Sequence, residues 1–444
     1  MKNIYIIGNG ISGVTAARHL RKKSEHQITL ISEESEYFFS RTALMYSYMG
    51  YMQWKDLMPY PIEFWKKNRI NLLQTRVLSI DFKNQNLMTR EGQILSYDIL
   101  ILATGSTPNL PNWPRQNLTG VGCLYHQWDL QKLEEYSKNI QQAVITGGGL
   151  IGIEMAEMLH SRQIQTTMLV REKEYWSNVL PLEEAQMISA HIRRHGIDLK
   201  LQTQLKEIKG SDKVTAVVTD QNDEICCQWL GLTIGVRPNI DVFKNTELEI
   251  DRGILVDAML KTNIPNVFAI GDCAQQRQAK PGRKDIEAVW YTGRIMGKTV
   301  ASVICGERTE YDPGIWFNSA KFFDIEYQVY GEISSSIQEN VESIFWRHPT
   351  VEKSIRINFD RTTKKVLGFN LMGIRFRQEV CERWINQKTD IQQVLQNIRL
   401  AFFDPEFFED CSNDFIQLAN QKTGMNIHLN AGWQLNEVLN FLKN

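Results

Sequence analysis

Two clusters of glycine stand where a chain could hold a diphosphate. Gly8, Gly10 and Gly13 in GNGISG (8–13) follow the apolar run Ile4-Tyr5-Ile6-Ile7; Gly147, Gly149 and Gly152 close the segment AVITGGGLIG (143–152). In each, the first glycine allows a sharp turn, the second lets backbone approach an anion, and the third lets a helix pack closely on a strand. Ile11 and Ser12 open one helix, Leu150 and Ile151 the other. A helix start of this kind offers N–H donors and the positive end of its dipole to phosphate oxygens. A carboxylate after the next strand can accept hydrogen bonds from ribose hydroxyls, and Glu33 occupies that place in the first cluster. In the second cluster the strand ends at Val170, followed by Arg171 and Glu172. Arg171 suits a ribose 2′-phosphate and Glu172 a free 2′-hydroxyl; the arginine tilts the reading slightly toward NADPH over NADH, and a plain solvated turn is the third possibility.

Positioning such groups takes a buried strand, a tight turn, a helix and a second strand. Lys2 to Glu33 has this pattern, with a helix to Lys23 and the strand QITLIS (27–32); Gln141 to Glu172 repeats it, with a helix from about Leu150 to Ser161 and the strand TTMLV (166–170). Each is a βαβ unit, which implies a parallel sheet with a right-handed crossover. Three more segments share one shape, an apolar strand running into glycine and a polar turn: YDILILATGSTPN (97–109), CQWLGLTIGVRPN (227–239) and NIPNVFAIGDCA (263–274). After Pro313 the strand-like runs KFFDIEYQVYG, EKSIRINFD and KKVLGFNLMG lead to helix-like segments from Gln378 to Ala419, which reads as a separate α+β domain. The predicted class is α/β, with two Rossmann-like dinucleotide-binding domains and an α+β C-terminal domain. Gly50 to Trp65, dense in Tyr, Met and Trp, has no assignable structure.

Composition narrows the function classes. With 444 residues the chain exceeds what a single core supports. A net charge of −1 gives no electrostatic reason to expect nucleic acid or an acidic membrane surface as partner. The seven cysteines form no CxxC pair, and the adjacent Cys226 and Cys227 have neither metal-ligand nor redox spacing, so no metal is expected. Reduced thiols, an N-terminus unlike a secretory signal, and no apolar stretch near the ~20 residues of a spanning helix point to the cytoplasm.

The motifs GNGISG with Glu33, ATGSTPN, GGGLIG, IGVRPN and NVFAIGDCA, in this order, resemble the FAD-dependent pyridine nucleotide–disulfide oxidoreductase superfamily. The resemblance spans nearly the whole chain. It implies an FAD domain in two segments, 1–112 and 241–310, an NAD(P) domain at 113–240 between them, and an interface-like domain at 311–444 that makes a homodimer plausible. It also implies that Gly271 and Asp272 meet the ribityl or pyrophosphate part of FAD. Ala103, Thr104 and Gly105 would line the FAD cleft, and Gly235 the nicotinamide side. Trp290 would abut the flavin. Glu154, on the helix after GGGLIG, would lie near the flavin and the carboxamide; an exposed helix carboxylate is the plain alternative.

The departures from the family pattern are informative. Members that reduce disulfides carry a redox cysteine shortly after the FAD acid, but YFFSRTALMYSYMG (37–50) has none. Arg41 stands there instead, as in the ferredoxin- and rubredoxin-reductase-like branch, and would clamp pyrophosphate through its two-pronged guanidinium. That branch, like the flavin domains of NADH oxidase and nitrite reductase, lacks the relay. Its members place a lysine, paired with the helix glutamate, where this chain has Tyr46, so the pair is absent or rebuilt. HPTVE (348–352) mimics an acid–base motif of disulfide reductases, but it precedes the strands it should follow; RLAFFDPEFFED (399–410) holds the family's place and has no histidine. Cys273 reads as a small buried hydrophobe. Met45, Tyr46, Tyr48, Tyr51, Met52 and Trp54 could line an acceptor site or pack a core. The resulting expectation is an FAD-dependent NAD(P)H oxidoreductase in which hydride passes to flavin and electrons go on without a cysteine relay. The acceptor would be a small iron–sulfur or rubredoxin-type protein, a quinone, another small oxidant or oxygen. The rivals are a thiol reductase using an atypical cysteine and a flavoprotein that mainly binds or senses.

Overall fold

The computed structural model describes residues 1–336, 338–403, 409–430, 438 and 441. Its first sheet has five parallel strands in the order Val267–Ala269, Ile99–Leu102, Asn3–Ile7, Gln27–Ser32, Ile70–Gln74. The strands Asn3–Ile7 and Ile99–Leu102 are largely apolar and bury Ile4, Ile6 and Ile99 to Leu102 in one core with the helix Ile11–Lys23. The helix Ile11–Lys23 buries Val14, Ala16, Ala17 and Leu20 and ends in Arg21, Lys22 and Lys23, which complement its dipole. It packs on the helix Trp290–Ile304. Backbones approach closely there, since a Cβ on Gly297 would run into the Ser12 carbonyl.

A second parallel sheet repeats the plan in the order Asp198–Leu201, Gln165–Val170, Gln142–Thr146, Trp229–Leu232, Val121–Gly122. The helix Leu150–Ser161 lies in sequence between the strands Gln142–Thr146 and Gln165–Val170, as predicted. The two sheets are joined by the short strands Ser106–Pro108 and Val236–Pro238, paired antiparallel with Pro238 opposite Ser106. Each follows a glycine in left-handed backbone, Gly105 at φ 68° and Gly235 at φ 98°.

The third sheet is antiparallel, in the order Phe317–Phe322, Ile325–Gly331, Val366–Met372, Ser354–Asp360, Val341–Arg347. The helix Gln378–Asn386 packs on it through Val380, Cys381 and Trp384. The run KFFDIEYQVYG, which reads as one strand, instead spans the end of one strand, a turn and the next strand of a hairpin. Phe323 at φ 55° and Asp324 turn the chain between the first two strands. Arg356 of this sheet anchors the second sheet's helix Leu182–Arg194: it donates to Glu184 at 2.7 and 2.8 Å and to Glu183 at 2.8 Å. Asn370 adds a bond to Glu184 at 3.1 Å, so the wholly buried carboxylate is fully engaged.

The aromatic stretch divides. Leu44, Met45 and Tyr48 are buried in one core with Ile153 and Met155, whereas Tyr51 stands 74% exposed. Trp54–Leu57 forms a single 3-10 turn and Ile62–Lys67 a short helix.

Candidate functional site

A cleft of about 530 Å3 is lined by the first glycine turn, Gly8 to Ser12, by Ala103, Thr104 and Gly105, and by Gly271 and Asp272. These follow the carboxyl ends of neighbouring parallel strands, where ligands bind in such sheets. Gly8 sits at φ 110°, and a Cβ on it would overlap the Ala103 carbonyl oxygen. A Cβ on Gly13 would overlap the Gly8 carbonyl, which fixes how closely the helix nests against the turn. A Cβ on Gly10 would meet nothing within 4 Å. The middle glycine thus faces open space at the helix start, the cradle that a diphosphate needs.

The cleft's charges are already ordered. Glu34 accepts from Arg41 Nη1 at 3.1 Å and Nη2 at 2.6 Å and from the Gln127 N–H at 2.7 Å. His126 Nδ1 lies 3.3 Å away. Burial pushes this carboxyl up, but His126, Arg41 and the Gln127 amide outweigh it and hold it at about 2. Arg41 also donates to the Tyr125 carbonyl, and its guanidinium lies 4.6 Å from the centre of the Tyr125 ring. The predicted phosphate clamp is therefore in the cleft with its fork engaged by Glu34. Glu33 lines the cleft and pairs with Arg90 at 3.3 Å and Arg76 at 3.7 Å. Asp272 accepts from Ser106 Oγ at 2.7 Å, and burial pushes its carboxyl up. Trp290 forms part of the wall.

The second turn copies the first in backbone. Gly147 lies at φ 126° with the Thr233 carbonyl against its open face, Gly152 presses on the Gly147 carbonyl, and a Cβ on Gly149 would meet nothing within 4 Å. Tyr175 Oη donates to the Gly149 carbonyl at 2.6 Å. A Cβ on Gly148 would lie 3.4 Å from Glu172 Oε2, so the carboxylate leans over the turn. Arg171 points outward, 71% exposed, with Nε 2.8 Å from Glu172 Oε1.

Glu154, in the first turns of the helix Leu150–Ser161, has no hydrogen-bond or ion-pair partner among the described residues. Burial, and then Glu157, push its carboxyl up to about 7. One turn along the helix, Lys321, from the third sheet, lies 2.6 Å from Glu157 Oε1 and 5.5 Å from the centre of the Tyr46 ring. Neither Glu154 nor Tyr46 lines the cleft of the first turn.

No cysteine lines the cleft. Cys273 is wholly buried with Sγ 3.3 Å from the Ile270 carbonyl and 3.5 Å from the Leu102 carbonyl, and burial pushes the thiol up. His348 lies in a loop beyond the strand Val341–Arg347, accepting from the Thr350 and Val351 amides. Of the segment 399–410, residues 404–408 lie outside the described residues.

A family model described as pyridine nucleotide-disulphide oxidoreductase matches residues 2–297. The chain belongs to this family. Among curated relatives, rhodocoxin reductase of Rhodococcus erythropolis is 30% identical over 325 residues, covering 72% of this chain and 76% of the relative. Nitrite reductase [NAD(P)H] of Bacillus subtilis is 26% identical over 82% of this chain, which spans only 45% of that enzyme's length. Among solved structures, the covalent putidaredoxin reductase–putidaredoxin complex matches with a TM-score of 0.77 at 21% identity, over 96% of this chain and 99% of that one. As a pyridine nucleotide-disulphide oxidoreductase the chain is an FAD-dependent NAD(P)H oxidoreductase, with a Rossmann-like fold in both parallel sheets. Among the described residues no helix is long and apolar enough to cross a membrane.

Sequence reasoning missed Glu34, Tyr125, Ser106 and the Lys321–Glu157 pair. Glu34 had a signal, two adjacent acids at a strand end, of which only the first was read as functional. The others come together from 164 or more residues apart or through a backbone carbonyl, and no local pattern announces that.

Proposed function

We propose that the chain takes hydride from NADH, holds the electrons on FAD in the cleft of the first glycine turn, and hands them to a small redox protein with no thiol in between. The observation that carries this reading is the cleft itself: a glycine cradle for a diphosphate, walled by Trp290, with no cysteine in its lining. Bound there, FAD supplies a ring that accepts hydride and releases electrons onward. Gly10 and the helix start receive the diphosphate, and Glu33 the ribose hydroxyls. Asp272, held by Ser106, meets the chain between ring and phosphates. Arg41 turns from Glu34 toward the phosphates, a shift between two strong anionic partners.

On the nicotinamide side Gly149 receives the second diphosphate. Glu172, leaning over the turn, accepts from a free 2′-hydroxyl and repels a 2′-phosphate. The preference proposed here is thus NADH, against the slight lean to NADPH that Arg171 suggests. A buried, unpaired Glu154 beside this turn favours an uncharged carboxyl able to donate a hydrogen bond to the carboxamide. We assign 1–112 and 241–310 to FAD, 113–240 to the nicotinamide nucleotide and 311–444 to an interface role, in a cytoplasmic protein. The names of the relatives, two of them reductases of small redox proteins, support the choice of acceptor.

Anaerobic stopped-flow reduction of the purified yellow protein by NADH and by NADPH tests the reading. Fast bleaching near 450 nm with NADH, unchanged in Cys273→Ser, is the expected result. A colourless protein, a flavin reduced more slowly than any metabolic turnover, or loss of turnover in Cys273→Ser would each defeat it.

A further inference from the structure

We propose that His191, His195 and Asp324 bind a divalent transition-metal ion, zinc being the probe of choice, at the seam between the nicotinamide-side sheet and the third sheet. His191 and His195 are four residues apart at the end of the helix Leu182–Arg194, so both imidazoles project on one side. Asp324 comes from the hairpin turn of the third sheet. One ligand atom from each of the three lies within 4.8 Å of the other two.

The hydrogen bonding of His195 decides which of its nitrogens is turned to the other two ligands. His195 Nδ1 lies 3.1 Å from the His191 carbonyl, which can only accept, so that nitrogen carries the proton. Its Nε2 is then a bare lone pair. That lone pair faces Asp324 Oδ1 at 3.6 Å, with no donor to it among the described residues. Two acceptors facing one another call for a cation between them. Two ligands on a tetrahedral zinc, each about 2.1 Å from the metal, stand about 3.4 Å apart. Phe323 stacks on the His195 ring with centroids 4.1 Å apart, and the backbone bond to Nδ1 fixes its tilt, the outer support that ligating histidines need.

His191 supplies the third ligand. Its Nε2 now touches Asp324 Oδ1 at 2.6 Å, too short to span a common ion, so this hydrogen bond gives way when metal enters. The Asp324 side chain is 77% exposed and free to make that rotation. Two imidazoles and a carboxylate leave one position of a tetrahedral ion for water. Its role is to clasp the hairpin of the third sheet to the end of the helix Leu182–Arg194, whose start the Arg356–Glu184 pair ties to the same sheet. The donor set suits zinc, cobalt, nickel or copper better than calcium or magnesium, which favour all-oxygen ligands.

The test is zinc titration of the flavin-loaded full-length protein by calorimetry, with thermal melts in parallel. One zinc per chain and a rise of a few degrees in Tm are expected. In Asp324→Ala, with its own metal-free melt as the baseline, affinity should fall at least tenfold and the Tm rise on zinc addition should vanish. His195→Ala should behave the same way. No stoichiometric binding would overturn the proposal, with a proton on His195 then bridging the gap. So would binding left intact in both variants, which would place the zinc on cysteines elsewhere.

Discussion

The two glycine turns are near copies in backbone and unlike in their surroundings. At Gly8 and at Gly147 the first glycine has positive φ against a carbonyl of the neighbouring strand segment, the middle one faces open space, and the third presses on the first. Around the first turn Glu34 is paired with Arg41 and Asp272 with Ser106, under Tyr125 and Trp290, while Glu33 pairs with Arg90 at the exposed rim. Around the second, Arg171 is exposed and Glu154 has no partner. The glycines set where a diphosphate can lie, and the enclosure sets how readily it leaves. On the function proposed above, the flavin kept through many turnovers lies in the first site and the nucleotide that exchanges each cycle in the second.

The sharpest way to break the comparison is to add one methyl to each turn. Gly8→Ala and Gly147→Ala both force a Cβ onto a carbonyl oxygen in a backbone that L residues rarely adopt. Each should cost about 4 kcal/mol or more in denaturant melts. The two halves then separate: Gly8→Ala should purify without yellow colour, while whatever Gly147→Ala remains folded should stay yellow and resist reduction by NADH. If both variants lose flavin equally, the turns are not independent sites.

A second contrast lies in how the halves meet the third sheet. Arg356 reaches only the nicotinamide half, where Glu184 is wholly buried beneath it. Arg356→Met would strand that carboxylate, and breaking such a pair costs about 3–5 kcal/mol. Calorimetry should show the loss, with flavin content preserved if the two parallel sheets unfold separately. A double variant with Glu184→Met should recover much of it, because a matched apolar pair leaves no charge unpaired.

The backbone part of this design was legible in the sequence because its cause is local. Three glycines at fixed spacing, an apolar strand before and a helical period after are all within one window, and Ile11–Lys23 and Leu150–Ser161 form where that pattern puts them. The partners of the charged groups were not legible, because their cause is the fold. Glu34 meets Gln127 across 93 residues, and Lys321 meets Glu157 across 164. The hairpin at Phe323 escaped for another reason. An alternating run such as KFFDIEYQVYG satisfies the strand period on both sides of the turn, and nothing in Phe-Asp resembles the usual Gly or Asn turn. Adjacency in sequence likewise could not say that Arg171 points out while Glu172 leans in.

Glu154 gives the third test, a smaller effect that depends on pH. Its carboxyl is raised from the usual 4.5 to about 7, first by burial and then by Glu157, so the fold favours the neutral form. The stability this group contributes is fully present below about pH 4.5 and is lost as pH rises through about 7. Glu154→Gln keeps the shape without the charge. Its Tm should match the wild type at pH 4.5 and exceed it at pH 8, by about 1–3 kcal/mol in free energy. In the first half burial also raises Asp272, but there Ser106 and Arg41 oppose the shift. A Tm difference independent of pH would mean that Glu154 is charged and solvated.

The smallest effect is the most specific to function. Glu33 is the first residue after its strand and Glu172 the second after its own; Glu33 faces Arg76 and Arg90, while Glu172 pairs with the outward Arg171. Removing the charge at Glu172 should therefore act on nucleotide choice and leave flavin untouched. In Glu172→Gln the 2′-hydroxyl keeps an acceptor, the repulsion of a 2′-phosphate ends, and Arg171 is released to pair with it. The ratio of kcat/KM for NADH to that for NADPH should fall about tenfold, or about 1.4 kcal/mol, chiefly through a lower KM for NADPH. Combining it with Arg171→Ala separates the two causes. If the repelling carboxylate decides the preference, the double variant keeps most of the shift; if the arginine decides it, the shift disappears. A wild type that already prefers NADPH would mean that Glu172 swings aside when nucleotide binds, and the lean of its carboxylate over Gly148 would then describe only the empty turn.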